Sequence, residues 1–243
     1  MKTLGIIGGL GPMATAVMME MLVSMADVST DQEHLDCIVF NRPNVPDRTE
    51  YLLDHSKPSP AASMRESAAS LEALGASYLA MPCITAHALA DEIASSVSIP
   101  IINMVSETVS CLSSAKMKKT GIMATAGTVK TGLFQSALSE AGIEPVIPDD
   151  ENQNIIMDII YKNVKAGKAA DMAKFGIAAQ SLFDKNCDSI ILGCTELSVV
   201  KRQNQEAGWQ PFIDPLEVLC GCCLSFCDVP VKAEYLPYIN NYK

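Results

Sequence analysis

Short apolar runs recur along the chain, and polar or small residues bound each of them. Runs of this length that are apolar throughout are typical of strands buried on both faces of a parallel sheet. The stretches between them have helical length, and this alternation predicts an α/β fold with parallel sheets flanked by helices. The predicted strands are 4–8, 35–40, 78–81, 99–102, 121–124, 189–192 and 211–213.

Proline and glycine mark where the predicted helices begin and end. Pro12 stands where a first helix should start, since proline is favoured in the first helical turn. Helices are also predicted within 59–75 and 154–167, each closing on a glycine that can end a helix.

The second half of the chain repeats a pattern of the first. Cys83, in the segment YLAMPCITAH, aligns with Cys194, in the segment SIILGCTELS. At the same offset, IPIIN (99–103) aligns with QPFID (210–214). A repeat of this kind indicates two similar structural units.

The beginnings of the two halves are alike as well. The segment GIIGGLGPMAT (5–15) resembles GIMATAGTVKT (121–131), each a strand that runs into a turn of small residues. The sequence therefore predicts two pseudo-symmetric α/β domains with the active site in the cleft between them. The first comprises 1–103 plus 215–243, with a C-terminal helix that returns to it, and the second comprises 104–214.

Composition narrows the class of protein. Hydrophobic residues make up 49% and charged residues 19%, which excludes disorder, while aromatic residues at 5% favour an α/β core over an all-β one. The net charge of −10 argues against nucleic-acid binding, and an anionic substrate would need Arg or Lys focused in one cleft.

Glycine, proline and polar residues interrupt the apolar stretches at 3–19 and 73–90, so we expect neither a cleaved leader nor a membrane span. The nine cysteines do not follow the spacing of a secreted scaffold and fit a reducing cytoplasm.

Cys83 and Cys194 are the main candidates for chemistry. Ligands of open parallel sheets bind beyond the carboxyl ends of the strands, so two facing halves would bring both cysteines to opposite walls of one cleft. A buried cysteine is more often an inert small hydrophobe, but two at matching positions of a duplication favour a reactive role. Each precedes a predicted helix start, where we expect the thiol pKa to be lowered toward neutrality.

These motifs are similar to those of the aspartate/glutamate racemase family, which inverts the α-carbon of amino acids without pyridoxal phosphate. The resemblance spans nearly the whole chain and rests on GGLGPMAT, PDRT, MPCITAH, ATAGTV, YKNVKAG and LGCTELS. It implies that Cys83 and Cys194 are the catalytic pair, one thiolate taking the α-proton while the other thiol protonates the opposite face. It also implies a homodimer, no cofactor and a small amino-acid substrate.

The resemblance further implies which residues bind the substrate. Arg48 and Lys165 match the family's binders of the side-chain carboxylate, with surface solvation as the alternative. Thr125 and Thr128 match positions that hydrogen-bond the substrate, and Thr85 and Thr195 could serve the α-carboxylate; all four could instead cap helices. Met13 would contribute a backbone N–H. Asp47 and Glu196 are candidates for orienting the thiols or the basic groups, or are solvated surface residues.

Some residues depart from the family pattern or invite other interpretations. Ile84 stands where the family usually has an asparagine that helps to hold the substrate, and this puts the substrate's identity in doubt. His87 is expected to be structural rather than catalytic. The thiols of CGCCLSFC (220–227) do not have the spacing of a zinc site and fit an apolar helix, so no metal is expected.

The sequence therefore predicts a cofactor-independent racemase for aspartate or a related acidic amino acid. Two alternatives stay open: a racemase or isomerase for another α-carbon substrate, such as a neutral amino acid or a hydantoin, and an inactive amino-acid-binding sensor.

Overall fold

A computed structural model describes residues 2–209 and 211–238. Met1, Gln210 and 239–243, which belong to the predicted domains or to the QPFID repeat, lie outside the described residues. The described strands are β1 (Leu4–Gly8), β2 (Cys37–Asn41), β3 (Tyr78–Ala80), β4 (Lys119–Ala124), β5 (Glu144–Val146), β6 (Ser189–Gly193) and β7 (Phe212–Ile213).

The α-helices alternate with the strands. They are α1 (Pro12–Met25), α2 (Arg48–Leu53), α3 (Ala61–Ala73), α4 (Ala90–Ala94), α5 (Met104–Ser114), α6 (Ala126–Thr131), α7 (Leu133–Glu140), α8 (Asp150–Asp158), α9 (Met172–Phe183), α10 (Thr195–Gln203) and α11 (Pro215–Phe226). Four 3-10 helices cover Asp31–Glu33, Ile84–Leu89, Gln205–Ala207 and Ala233–Tyr238, and α8 continues into a π-helix at Ile159–Val164. No helix in the described ranges is both long and apolar enough to cross a membrane.

Two parallel sheets have the same strand arrangement. The first has the order β2-β1-β3, and the second has the order β5-β4-β6-β7. An isolated parallel pairing of Leu79 with Ile101 continues the first sheet at the place that β7 takes in the second. The predicted α/β fold with two pseudo-symmetric parallel sheets is therefore confirmed.

Two edges of these sheets differ from the sequence prediction. The predicted strand at 99–102 is reduced to a single parallel pairing at Ile101, since Pro100 has no N–H to donate to a longer ladder. The sequence pattern also missed β5, an edge strand of three residues with Pro145 at its centre. Proline is tolerated in an edge strand, but it hides the strand from pattern analysis.

One hydrophobic cluster contains residues of both halves, and each half also has a cluster of its own. β1 and β6 are buried along their whole length, and α11 packs against both α1 and α5. The cysteine-rich segment lies on α11, where Cys220, Cys222 and Cys223 are buried core residues. The predicted apolar helix explains this segment. The predicted domain boundaries stay a prediction.

Candidate active site

The two candidate cysteines occupy equivalent positions in the two sheets. Cys83 follows β3 and stands at the N-cap position of the 3-10 helix at Ile84–Leu89, and Cys194 follows β6 and stands at the N-cap position of α10. Their backbones have similar extended conformations, with φ −158° and ψ 108° at Cys83, and φ −148° and ψ 135° at Cys194. Both cysteines line the same cavity, as the duplication predicted.

This inner cavity is small. Its volume is about 10 Å³, which is room for about one water molecule. An outer cavity of about 500 Å³ adjoins it, and the two share Asp47, Arg48, Lys165 and Glu196. The inner cavity is lined by Leu10, Asp47, Arg48, Thr49, Cys83, Thr85, Thr125, Tyr161, Lys165, Cys194 and Glu196. An amino acid can therefore bind between the cysteines only if the lining residues move apart.

Cys194 belongs to a buried chain of hydrogen bonds. Its Sγ donates to Oε2 of Glu196 at 2.8 Å, and Oε1 of Glu196 pairs with Nζ of Lys165 at 2.7 Å. A carboxylate ionised beside a lysine can only accept, so this bond places the proton on the Cys194 sulfur. Lys165, which the resemblance implied, and Glu196, a candidate for orienting the thiols or the basic groups, are thus in direct contact within the site.

The pKa of Cys194 is shifted in the opposite direction to the one expected from its helix position. Burial and the negative charge of Glu196 raise the pKa well above its ordinary value, and the opposing effect of Lys165 is smaller. The expectation of a thiol pKa lowered toward neutrality is therefore wrong for Cys194. Burial lowers the Lys165 pKa, but the charge and the hydrogen bond of Glu196 and the two neighbouring cysteines together outweigh it, so that pKa is raised and the ammonium group stays protonated.

Arg48 lies on the Cys83 side of the cavity. Arg48 is the first residue of α2, and its side chain is buried. Its Nη2 donates to the carbonyl oxygen of Leu10 at 2.7 Å, and its Nη1 donates to the carbonyl oxygen of Pro46 at 3.0 Å. Its Nε is buried and lacks a hydrogen-bond partner among the described residues. Burial lowers the pKa of Arg48, but interaction with Cys83 and the acidic neighbours leaves it raised. A cationic donor therefore lies beside this cysteine.

Four buried threonine hydroxyls form a cluster between the two halves. Thr85 Oγ1 lies 3.1 Å from that of Thr128 and 3.3 Å from that of Thr125, and Thr49 donates to Thr125 at 3.2 Å. Thr125 also accepts from the Thr128 N–H and caps α6. Thr125 therefore both caps α6 and lines the inner cavity. Hydroxyls act as donors or acceptors and suit the carboxylate or the ammonium group of an amino acid.

Asp47 and Tyr161 link the two halves across the mouth of the inner cavity. The Tyr161 hydroxyl donates to the Asp47 carboxylate, 3.3 Å from each oxygen, and Asp47 also caps α2 through the Glu50 N–H. Burial raises the pKa of Tyr161, so its hydroxyl remains a donor. The sequence analysis missed Tyr161 and Thr49 as site residues, although both lie within motifs that it quoted, YKNVKAG and PDRT.

The remaining predicted residues lie farther from the inner cavity. Thr195 donates to the Pro82 carbonyl at 3.2 Å and thereby joins the two cysteine loops. Met13 lines the outer cavity at the start of α1 and is 54% exposed. Ile84 is buried in the hydrophobic core and is not among the residues that line either cavity.

Metal binding has no arrangement of donors to support it in the part of the chain that the structure describes. No group of three or more His, Cys, Asp and Glu side chains there could hold an ion. Burial raises the pKa values of the cysteines on α11 and of Cys227 directly after it, and this keeps them as thiols.

Comparisons with known proteins extend over nearly the whole chain. The model of the Asp/Glu/hydantoin racemase family matches residues 7–223. The broad specificity amino-acid racemase RacX of Bacillus subtilis (strain 168) is 25% identical over 201 residues, which are 81% of this chain and 86% of RacX.

Solved structures show the same architecture. Picrophilus torridus aspartate racemase is 30% identical with a TM-score of 0.84, and the match covers 98% of this chain and 99% of that one. Glutamate racemase from Francisella tularensis subsp. tularensis SCHU S4 shares the fold, with a TM-score of 0.64 at 18% identity over 93% of this chain and 80% of that one. These matches confirm the predicted architecture.

Proposed function

The chain belongs to the Asp/Glu/hydantoin racemase family, whose members are isomerases independent of pyridoxal phosphate, and we propose that it racemises aspartate or a related amino acid through Cys83 and Cys194. The observation that carries this proposal is the position of the two thiols. They lie at equivalent strand ends of two matching sheets, and they line one small cavity.

Inversion of a carbon centre explains the need for two thiols. One base can return a proton only to the face from which it took it, so inversion without a mobile carrier requires an acid on the other face. In our proposal Cys83, beside the Arg48 guanidinium, acts as the thiolate that removes the α-proton. Cys194, whose proton is held toward Glu196, donates to the opposite face. The roles exchange for the other enantiomer.

The surrounding polar groups have separate tasks in this mechanism. The α-proton is weakly acidic, so donors around the α-carboxylate must stabilise the developing carbanion. The hydroxyls of Thr85 and Thr125 are suited to this task because both line the inner cavity, and Thr128, which does not line it, hydrogen-bonds to both of them. Arg48 and Lys165 are suited to a side-chain carboxylate, since both are cationic and line both cavities.

The substrate class rests on these two cations and on the relatives. An aspartate racemase and a broad specificity amino-acid racemase are both similar to this chain, so acidic amino acids are the first candidates and neutral ones the second. Arg48→Ala and Lys165→Ala should raise the KM for an acidic substrate by about ten- to a hundredfold, the equivalent of one charge-assisted hydrogen bond. The KM for a neutral amino acid should change much less. Equal losses on both would assign these residues to the α-carboxylate or to folding.

We further propose that the protein is a homodimer in a reducing cytoplasm. All nine cysteines in the described part of the chain are free thiols, which suits a reducing compartment. The proposed chemistry needs neither pyridoxal phosphate nor a metal ion. Activity that survives dialysis against a chelator, with size-exclusion chromatography giving twice the chain mass, would support these points.

The function is tested with enantiopure amino acids. The purified chain is incubated with each enantiomer of aspartate, glutamate, alanine and serine, and the products are separated by chiral chromatography. We expect the wild type to form both enantiomers of at least one amino acid, and Cys83→Ala and Cys194→Ala each to retain less than about a tenth of that turnover. Cys187→Ala is the matched control, because Cys187 is a buried thiol outside the cavity.

Two results would contradict the proposal. Racemisation that survives either cavity substitution would exclude the two-cysteine mechanism. Binding of an amino acid without conversion by the wild type would favour the sensor alternative.

A further inference from the structure

His87 joins the Cys83 loop to the start of α5. It lies four residues after Cys83 and is buried. Its Nδ1 is 3.0 Å from the carbonyl oxygen of Cys83, and the Met104 N–H donates to its Nε2 at 3.1 Å. A backbone N–H can only donate, so Nε2 accepts and the ring proton is on Nδ1, which donates to Cys83. The imidazole is therefore neutral, and burial, which lowers its pKa, agrees with this.

The second half has a matching contact at the same offset. Ser198 lies four residues after Cys194, and its Oγ donates to Oδ1 of Asp214 at 2.6 Å. The same oxygen accepts from the Leu216 N–H at 2.9 Å, so Asp214 caps α11. Both side chains are buried. In each half, therefore, the residue four positions after the cysteine is hydrogen-bonded at the start of a helix. His87 accepts from the first residue of α5, and Ser198 donates to Asp214, which caps α11.

We propose that His87 and the Ser198–Asp214 pair are positioning groups that fix the two cysteines at their respective sheet edges. None of the three lines the inner or the outer cavity, so they act through the cysteine loops and not on the substrate. Proton transfer is sensitive to placement, and a shift of about 1 Å can cost about a hundredfold in rate. This inference rests on the proposed function of the two thiols.

The two contacts differ in how directly they hold the thiol. His87 bonds the cysteine's own carbonyl oxygen, whereas Ser198 acts from within α10, whose first turn follows Cys194. We therefore expect His87→Leu to affect Cys83, and Ser198→Ala and Asp214→Asn to affect Cys194. His87→Gln should recover part of the effect, since its amide can accept from Met104 and donate to Cys83.

The experiment measures turnover and thiol reactivity in the same full-length variants. Racemisation gives kcat and KM, and iodoacetamide labelling followed by peptide mass spectrometry gives separate rates for the two cysteines. For His87→Leu we expect kcat to fall at least tenfold with KM within about twofold, and the Cys83 labelling rate to change at least threefold while that of Cys194 does not. Ser198→Ala and Asp214→Asn should show the reverse labelling pattern.

Ser67→Ala is the matched control for a lost buried hydroxyl. Ser67 is buried and donates within α3 to the Ser63 carbonyl, away from both cysteine loops. This variant should leave kcat and both labelling rates unchanged. Thermal unfolding of every variant identifies those that fail to fold; if His87→Leu is one of them, His87→Gln and Ser198→Ala decide the question.

Unchanged kcat and labelling in the folded variants would overturn the inference, and so would equal changes at both cysteines. Failure of the proposed function is a separate outcome. In that case Cys83→Ala or Cys194→Ala would retain racemisation, while the labelling rates would still show whether His87 and Ser198 hold the individual cysteines.

Discussion

Glu196 offers the sharpest perturbation of the site, because one carboxylate holds both Lys165 and the Cys194 thiol. Glu196→Gln keeps the shape of the side chain and removes its charge. The ion pair at 2.7 Å and the thiol bond at 2.8 Å both become bonds to a neutral amide. A charge-assisted hydrogen bond contributes about 1.5–3 kcal/mol and a neutral one about 0.5–1.5 kcal/mol. Because Lys165 is 24% exposed and partly screened by water, we expect the variant to lose about 1–2 kcal/mol of unfolding free energy.

The same substitution should make Cys194 more reactive. The Glu196 charge raises the thiol pKa, and without it the neighbouring Lys165 ammonium group favours the thiolate. The thiolate fraction at a given pH should therefore rise. We expect iodoacetamide labelling of Cys194 at neutral pH to be faster in the variant than in the wild type, as measured by peptide mass spectrometry.

Glu217→Gln serves as the control for this prediction. Glu217 pairs with Lys201 at 2.6 Å, with both side chains 16% exposed, and neither residue lines the inner cavity. This variant should lose comparable stability in urea without any change in Cys194 labelling. Slower or unchanged labelling of Cys194 in Glu196→Gln would refute the assignment of Glu196 as the acceptor of the thiol proton.

Three other substitutions or conditions have defined outcomes. Gly11→Ala should lower the unfolding free energy in urea by about 1–3 kcal/mol, because Gly11 has φ +132° and an added Cβ would lie 2.7 Å from Glu196 Oε1; unchanged stability would contradict that contact. Ile84→Asn should cost about 1–3 kcal/mol by burying an unpaired amide, and tighter aspartate binding would show instead that residue 84 reaches the substrate. The pKa of His87 is lowered from 6.5, so its contribution to stability should be complete above that pH and should decline as the pH falls below it; urea unfolding between about pH 5 and pH 8 should show less of this decline in His87→Gln.

The duplicated pattern predicted the main features of the fold and the meeting of the two cysteines. Apolar runs gave the central strands because parallel strands are buried on both faces. The equal offset of Cys83 and Cys194 indicated that both follow equivalent strands, and the structure has them in one cavity. These inferences depend on local sequence patterns and on the internal repeat, both of which are visible in the sequence.

Contacts between segments that are distant in the sequence could not be predicted from such patterns. The position of Cys194 before a helix predicted a lowered thiol pKa. Burial of the thiol and the nearby carboxylate of Glu196 raise that pKa instead. Thr49 and Tyr161 complete the site through partners in the opposite half, Thr125 and Asp47. No sequence spacing connects such pairs, because the fold alone sets their distance.

The central claim, α-proton transfer by two cysteines, is tested most directly by hydrogen exchange at the α-carbon. The purified chain is incubated in deuterium oxide with either enantiomer of its amino-acid substrate, and deuterium at the α-carbon is followed by nuclear magnetic resonance and chiral mass spectrometry. We predict that the inverted product carries deuterium from the first turnovers, and that Cys83→Ala and Cys194→Ala each nearly abolish its formation. A product that retains the original α-hydrogen, or one that forms equally well without either thiol, would contradict the claim.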